Sequence, residues 1–212
     1  MAPPLTKRQQ QAAATAEQLL AAAREVFVTR GYVATTVGAI TEAANTAHGT
    51  FYLYFRNKED VFGRLIKDVA AEMYREAQAP WTGDPFEALE LAIRGYLGVF
   101  AAHGGVWRCL MEGLHQSPVL EAMWLDVRRP FIDRIDHNLA SLVAAGSVRE
   151  LDTTVAAHAL GSMVEWFAFT HLVLGMPPAE RRSLDEVAHS LTDLWFNAVY
   201  GRVDAKGPRS TS

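Results

Sequence analysis

The sequence predicts an all-α fold of about nine helices, divided between a small N-terminal domain and a larger helical body. Two observations carry this. Apolar residues recur at helical spacing and nowhere alternate over strand lengths. Capping residues, glycines and prolines interrupt that spacing at regular intervals, without any internal repeat.

Element by element, Thr15 and Gln18 form a capping box that opens the first helix, and Leu19, Ala23, Val26 and Phe27 recur along it up to Gly31. Residues 1–14 are left as a disordered tail. Thr36 caps a very short helix whose apolar positions are Val37, Ile40 and Ala44. The break Asn45-Thr46-Ala47 leads to a short aromatic helix over 49–55. Asn57 caps a longer helix from 58 to about 79, with Glu59 and Asp60 in the first turn, where the helix dipole favours acids. Asp84-Pro85-Phe86-Glu87 supplies an N-cap, a first-turn proline and a capping-box acid for a helix to about 103. Gly104-Gly105 precedes a helix over 106–116. Ser117-Pro118 starts the longest, which stops at Gly146, and Asp152 starts an apolar helix ended by Gly175 and Pro177-Pro178. Ser183 and Glu186 box the last, whose stripe of Leu184, Val187, Ala188, Leu191, Leu194, Trp195, Ala198 and Val199 ends at Gly201. Residues 202–212 read as a frayed tail.

Composition narrows the function classes. The 212 residues are 50% hydrophobic and 21% charged, which excludes a disordered or collagen-like chain. A single cysteine excludes a disulfide framework or a multi-thiolate zinc site and fits a cytoplasmic protein. The start has no secretory signal pattern. The most apolar stretch, 153–179, is broken by His158, Ser162, Glu165, His171 and Pro177, so no membrane association is expected. The net charge of −4 is unevenly spread: residues 1–58 carry six Lys/Arg against three Asp/Glu, the remainder fourteen against twenty-one. A basic head on an acidic body points to a head that meets an anion.

Residues 35–58 carry the chemistry. Two helices of about eight residues cannot stand alone in water and must pack across a tight turn. That is the layout of a helix-turn-helix, in which the second helix enters a DNA major groove. The residues placed to read or approach bases are Thr46, Ala47, His48, Gly49, Thr50 and Tyr52, small or hydrogen-bonding rather than charged. Thr36, Tyr52, Tyr54 and Lys58 suit phosphates, which position a protein without reading sequence. Phe51 and Phe55 are core.

The stretch 27–58, with F-x-x-x-G-Y-x-x-T-T-V-x-x-I-x-x-A-A followed by G-T-F-Y-x-Y-F-x-N-K-E, resembles the DNA-binding domain of TetR-type transcriptional regulators. A weaker likeness to EthR-type repressors runs over 100–201. The resemblance implies a helix-turn-helix DNA-binding domain over 15–58 and a ligand-binding and dimerisation domain over 59–201. It implies a homodimer on a palindromic double-stranded operator, acting as a repressor released by a small hydrophobic or amphipathic ligand, with no cofactor. Asn45 stands where the family usually has glycine; asparagine also tolerates the left-handed conformation.

In the body, Phe100, Trp107, Met111, Trp124, Arg128 and Phe131 are candidate ligand contacts, because bulky, adaptable side chains commonly line ligand cavities; each is equally compatible with ordinary core packing. Glu165, an acid among Met163, Val164, Trp166 and Phe167, must be paired, hydrogen-bonded, protonated or wet, either as a structural partner or as a ligand contact. Trp166, Leu184, Leu191, Trp195 and Val199 are the expected dimer contacts, through an isologous four-helix arrangement; burial within one subunit is the rival.

Two other classes compete. Glu112 with His115 and Glu186 with His189 match the Glu-x-x-His motif of di-iron helical enzymes, but Glu186 is committed to a cap, so neither a metal site nor an enzyme is expected. A helical adaptor without DNA affinity is the other.

Overall fold

The computed structural model describes residues 6–78, 83–176 and 182–201, and all regular structure among them is helical. The elements are α1 (Lys7–Ala34), α2 (Val37–Ala43), α3 (His48–Phe51), α4 (Lys58–Glu76), α5 (Pro85–Ala102), α6 (Gly104–Leu114), α7 (Pro118–Ala144), α8 (Thr153–Ala168) and α9 (Leu184–Tyr200). A single π-helical stretch, Phe169–Val173, extends α8. No helix among the described residues is long and apolar enough to cross a membrane.

Most of the expected boundaries appear, with two differences near the N-terminus. The first helix opens at Lys7 and not at Thr15, because Thr6 and Gln9 form a capping box of their own and the Gln/Ala-rich stretch behind it has high helix propensity. Thr15 instead donates its hydroxyl to the Gln11 carbonyl, and Gln18 donates to the Ala44 carbonyl at the end of α2. The second short helix is a single turn, His48–Phe51, followed by turns through Tyr54 rather than helix to Phe55. At the other end of the chain the Ser183–Glu186 capping box is present as read.

The chain divides into two compact units. The first takes the described residues of Met1–Arg75 and Val99–Arg128; the second takes those of Glu76–Gly98 and Arg129–Ser212. The helix-turn-helix is therefore one unit with α6 and the first part of α7. Its core is aromatic: Phe27 lies 4.6 Å from Phe62 and 5.9 Å from Tyr32, ring centre to ring centre, with Leu19, Ile40, Phe51, Ile66, Leu110 and Leu120 fully buried around them.

Helix α6 packs unusually close to α1 because the face it presents is small. A Cβ on Gly105 would fall 2.7 Å from the Val28 side chain, and one on Gly113 would fall 3.1 Å from the Tyr32 ring. Between them the Cys109 thiol donates to the Phe27 carbonyl at 3.0 Å. Residues 105, 109 and 113 are four apart and share one helix face. In the second unit, Ile132 and Leu139 of α7, Ala157 and Leu160 of α8, and Val199 of α9 form a core cluster.

Candidate nucleic-acid interface

Two short helices hold their place by burying one face each. Ala39, Ile40 and Thr41 of α2 and Phe51 of α3 are buried, and Ala44 closes the turn. Thr36 caps α2, its hydroxyl accepting from the Ala39 amide at 3.2 Å. Between the helices Asn45 takes φ 48, the left-handed conformation, and is the only non-glycine with positive φ among the described residues. The asparagine thus serves where its resemblance family places glycine, at a small conformational cost.

What remains outside is a compact face. Ala47, His48, Gly49, Tyr52 and Leu53 are exposed, Leu53 at 78% and Tyr52 at 53%. Tyr52 packs edge-on against His48, ring centres 5.4 Å apart, with its hydroxyl 3.5 Å from Nε2. Thr50 and Tyr54 are half-buried at the rim. The face carries little charge of its own. Arg56 beside it is tied to Asp60, whose carboxyl accepts from the Arg56 backbone amide at 2.9 Å and is held below the usual carboxylate range by that bond and by the guanidinium.

Two of the sequence-predicted contacts are placed differently. The Thr46 hydroxyl is buried and without a hydrogen-bond partner, although the residue as a whole is half-buried. Lys58 spends its ammonium on the protein: Nζ donates to the Tyr32 carbonyl at 3.0 Å, approaches that of Val33 at 3.5 Å and sits 4.4 Å above the Tyr32 ring. An ammonium has three donors, which leaves a phosphate role compatible with this one. Leu53 was missed because an apolar residue inside an aromatic run reads as core, although its register relative to Phe51 and Phe55 puts it on the other face.

A second feature lies behind the interface. Gly31 (φ 80) breaks the regular course of α1, and the next two amides leave the helix. Both are taken by Glu112 of α6: Tyr32 N–H donates to Oε2 at 2.8 Å and Val33 N–H to Oε1 at 3.1 Å. Tyr32 donates its own hydroxyl to Glu59 at 3.1 Å; burial, with the Glu59 charge, pushes that phenol well above its ordinary range. Nearby, His103 lies between Arg24 of α1 and Glu72 of α4, 3.0 Å from the latter.

The chain's other motifs fall into place by geometry. Glu112 is committed to amides, and Glu186 accepts from Ser183 at 2.7 Å while His189 pairs with Glu90 at 3.2 Å. Neither Glu-x-x-His motif therefore offers a carboxylate to a metal. Among the described residues no three metal-ligating side chains come together.

Of the candidate ligand contacts, Phe100, Trp107, Met111, Trp124 and Arg128 fall in the first unit and Phe131 and Glu165 in the second. Phe100 and Trp107 are buried and stacked, ring centres 4.7 Å apart. The Trp107 indole N–H is buried without a partner. Arg128 lies 5.7 Å over the Trp124 ring, Met111 and Trp124 are half-buried, and Phe131 meets Tyr96 edge-on at 5.9 Å. Glu165 is half-buried and engaged with a partner.

The expected dimer contacts also separate. Leu191 and Val199 are buried at 4% and 3% exposure, and Val199 packs with the core cluster of α7 and α8. Leu184 and Trp195 are half-buried. Trp166 stands 62% exposed.

Residues 19–65 match the family model described as bacterial regulatory proteins of the tetR family, and residues 90–202 match the C-terminal domain of AefR-like transcriptional repressors. The chain belongs to the TetR family of bacterial transcriptional regulators. It is 24% identical to the HTH-type transcriptional regulator EthR of Mycolicibacterium smegmatis, covering 86% of this chain and 85% of that one. It is 26% identical to the fatty acid metabolism regulator protein of Bacillus subtilis, covering 87% and 95%. Its fold is similar to that of the transcriptional regulator FadR from Bacillus subtilis in complex with stearoyl-CoA, with a TM-score of 0.68 at 23% identity over 88% of this chain and 98% of that one. The SmeT–triclosan complex matches with a TM-score of 0.71 at 21% identity, over 94% and 97%. As a TetR-family regulator the chain carries an N-terminal DNA-binding helix-turn-helix within residues 19–65.

Proposed function

We propose that this TetR-family regulator is a homodimeric repressor in the cytoplasm, released from a palindromic operator by a small, largely hydrophobic ligand. The observation that carries the DNA side is the face of Ala47, His48, Gly49, Tyr52 and Leu53, exposed while Phe51 beneath it is fully buried. A face so poor in charge reads bases by close approach, hydrogen bonds and contact with thymine methyl groups, while Thr36, Thr50, Tyr54 and Lys58 serve the backbone.

The ligand side is supported by two structural neighbours named as complexes, one with stearoyl-CoA, which joins a long apolar acyl chain to a charged head, and one with triclosan, a small apolar phenol. In this chain the unpartnered Trp107 N–H is a donor suited to a ligand acceptor, since a buried unsatisfied donor costs about 1–3 kcal/mol. Met111, four residues on along the same helix face of α6, supplies adaptable apolar surface. A bound molecule shifts the regulator between conformations only by its differential affinity for them.

Support for the dimer comes from apolar residues left in solvent. Val155 and Trp166 of α8 are each 62% exposed and Leu194 of α9 is 58% exposed; Val155, Ala159, Ser162 and Trp166 share one face at helical spacing. We assign this surface to the second copy.

The test is selection of duplexes from a random-sequence pool by the full-length protein, with its mass measured in solution. The reading expects a retained duplex with two half-sites one helical turn apart and a dimer mass. A monomer that retains no duplex would contradict it.

A further inference from the structure

The segment Tyr32–Val33 is held from both sides. Its amides are gripped by the Glu112 carboxylate of α6, and its carbonyls lie 3.0 and 3.5 Å from Lys58 Nζ of α4. Neither grip depends on the side chains of the segment, and both depend on Gly31, whose left-handed φ takes those two peptide groups out of the helix ladder of α1. A side chain at Gly31 would be strained at its φ of 80, and with its Cβ 2.7 Å from Glu112 Oε2 it would push the carboxylate off the two amides.

The segment is also the entrance to the DNA-reading element. Three residues beyond Val33 stands Thr36, the N-cap of α2. So short a stretch of chain spans at most about 10 Å and has little slack. A displacement of the Tyr32–Val33 amides is therefore delivered to α2. Where two packed helices grip one peptide segment, a relative shift of α4 and α6 must break one grip or drag the segment with the other. Packed interfaces respond to such conflicts by switching between arrangements rather than deforming continuously.

We propose that Glu112 is the positioning residue that couples α6 to the orientation of the helix-turn-helix, through the backbone amides of Tyr32 and Val33. This rests on the reading of the chain as a DNA-binding, ligand-released regulator. In it, the state of α6 reaches the DNA face by a direct route from α6 to the end of α1, beside the covalent route through α4. Coupling is reciprocal, so DNA must act on α6 through the same carboxylate, and no inducing ligand is needed to see it.

The experiment is amide hydrogen exchange on the full-length protein with and without a duplex that the wild type selects from a random pool. In the wild type the duplex is expected to slow exchange about tenfold both at 37–51 and across 104–114. In Glu112→Ala, slowing at 37–51 persists while slowing across 104–114 falls below about twofold. Glu112→Gln, which keeps the helix and one acceptor, falls between the two and carries the test if the alanine variant does not fold. A carboxylate that merely stabilises the fold would lower the unfolding midpoint and leave the duplex effect on 104–114 unchanged; that result in either variant overturns the inference. A wild type that binds its duplex with no response at 104–114 overturns it alone, whereas a wild type that retains no duplex overturns the DNA-binding reading on which it rests.

Discussion

Replacing Gly113 with alanine probes how closely α6 approaches α1. The added methyl would lie 2.6 Å from Leu120 Cδ1 and 3.1–3.2 Å from Cδ1 and Cγ of Tyr32, against an ordinary carbon–carbon contact of roughly 3.5–4.0 Å. The overlap is thus about 1 Å on one neighbour and half that on the other. Neither has room to withdraw: Leu120 is 0% and Tyr32 2% exposed, and Tyr32 is fixed by Phe27, Phe62, Glu59 and Lys58. Alanine gains about 1 kcal/mol over glycine in a helix interior, while overpacking a closed site costs about 1–3 kcal/mol. The variant is expected to lose about 1 kcal/mol net, read as a lower urea midpoint at unchanged slope. Gly98 of α5 is the control, because nothing lies within 4 Å of its added Cβ; there the same change is expected to gain up to about 1 kcal/mol. Equal gains at both positions would refute the close approach.

Three further outcomes follow from the geometry. Cys109 is buried and donates to a carbonyl, and burial pushes its thiol up to about 11; native protein should therefore resist alkylation at pH 8 while urea-unfolded protein reacts at once. Because the folded thiol titrates above the unfolded one, its contribution is intact below about pH 8.5 and is lost as pH rises toward 11, which a urea midpoint series over that range reads. Asn45→Ala should cost about 1 kcal/mol at its positive φ, and Asn45→Gly should be near neutral, both by thermal unfolding. Trp166→Glu should turn the proposed dimer into monomer in sedimentation with an unchanged thermal midpoint; a stable dimer would move the proposed contact elsewhere.

The helical architecture was legible because capping boxes and apolar spacing are local signals: Ser183 with Glu186 and the stripe through Val187 and Leu191 needed no knowledge of neighbours. The helix-turn-helix was legible for the same reason, down to Asn45 in a left-handed turn. What the sequence left open depends on partners far along the chain. Glu112 looked like half of a metal motif, and only the break at Gly31, some eighty positions earlier, gives its carboxylate two amides to hold. Lys58 read as a phosphate contact because its claim on the Tyr32 carbonyl requires α1 and α4 to meet. Leu191 and Val199 lie on the apolar stripe of α9, and periodicity alone does not say whether a stripe faces its own core or a second subunit. Leu53 was passed over because composition outweighed register.

The central claim is that the single turn His48–Phe51 and the residues after it meet DNA. The most direct measurement is the affinity of full-length protein for its selected duplex, compared with a variant carrying His48→Ala, Tyr52→Phe and Leu53→Ala. All three side chains are exposed, so the thermal midpoint should stay the same while binding weakens at least about a hundredfold, each lost base contact being worth about 1–3 kcal/mol. Undiminished affinity in a variant that folds as the wild type does would place DNA recognition on another surface.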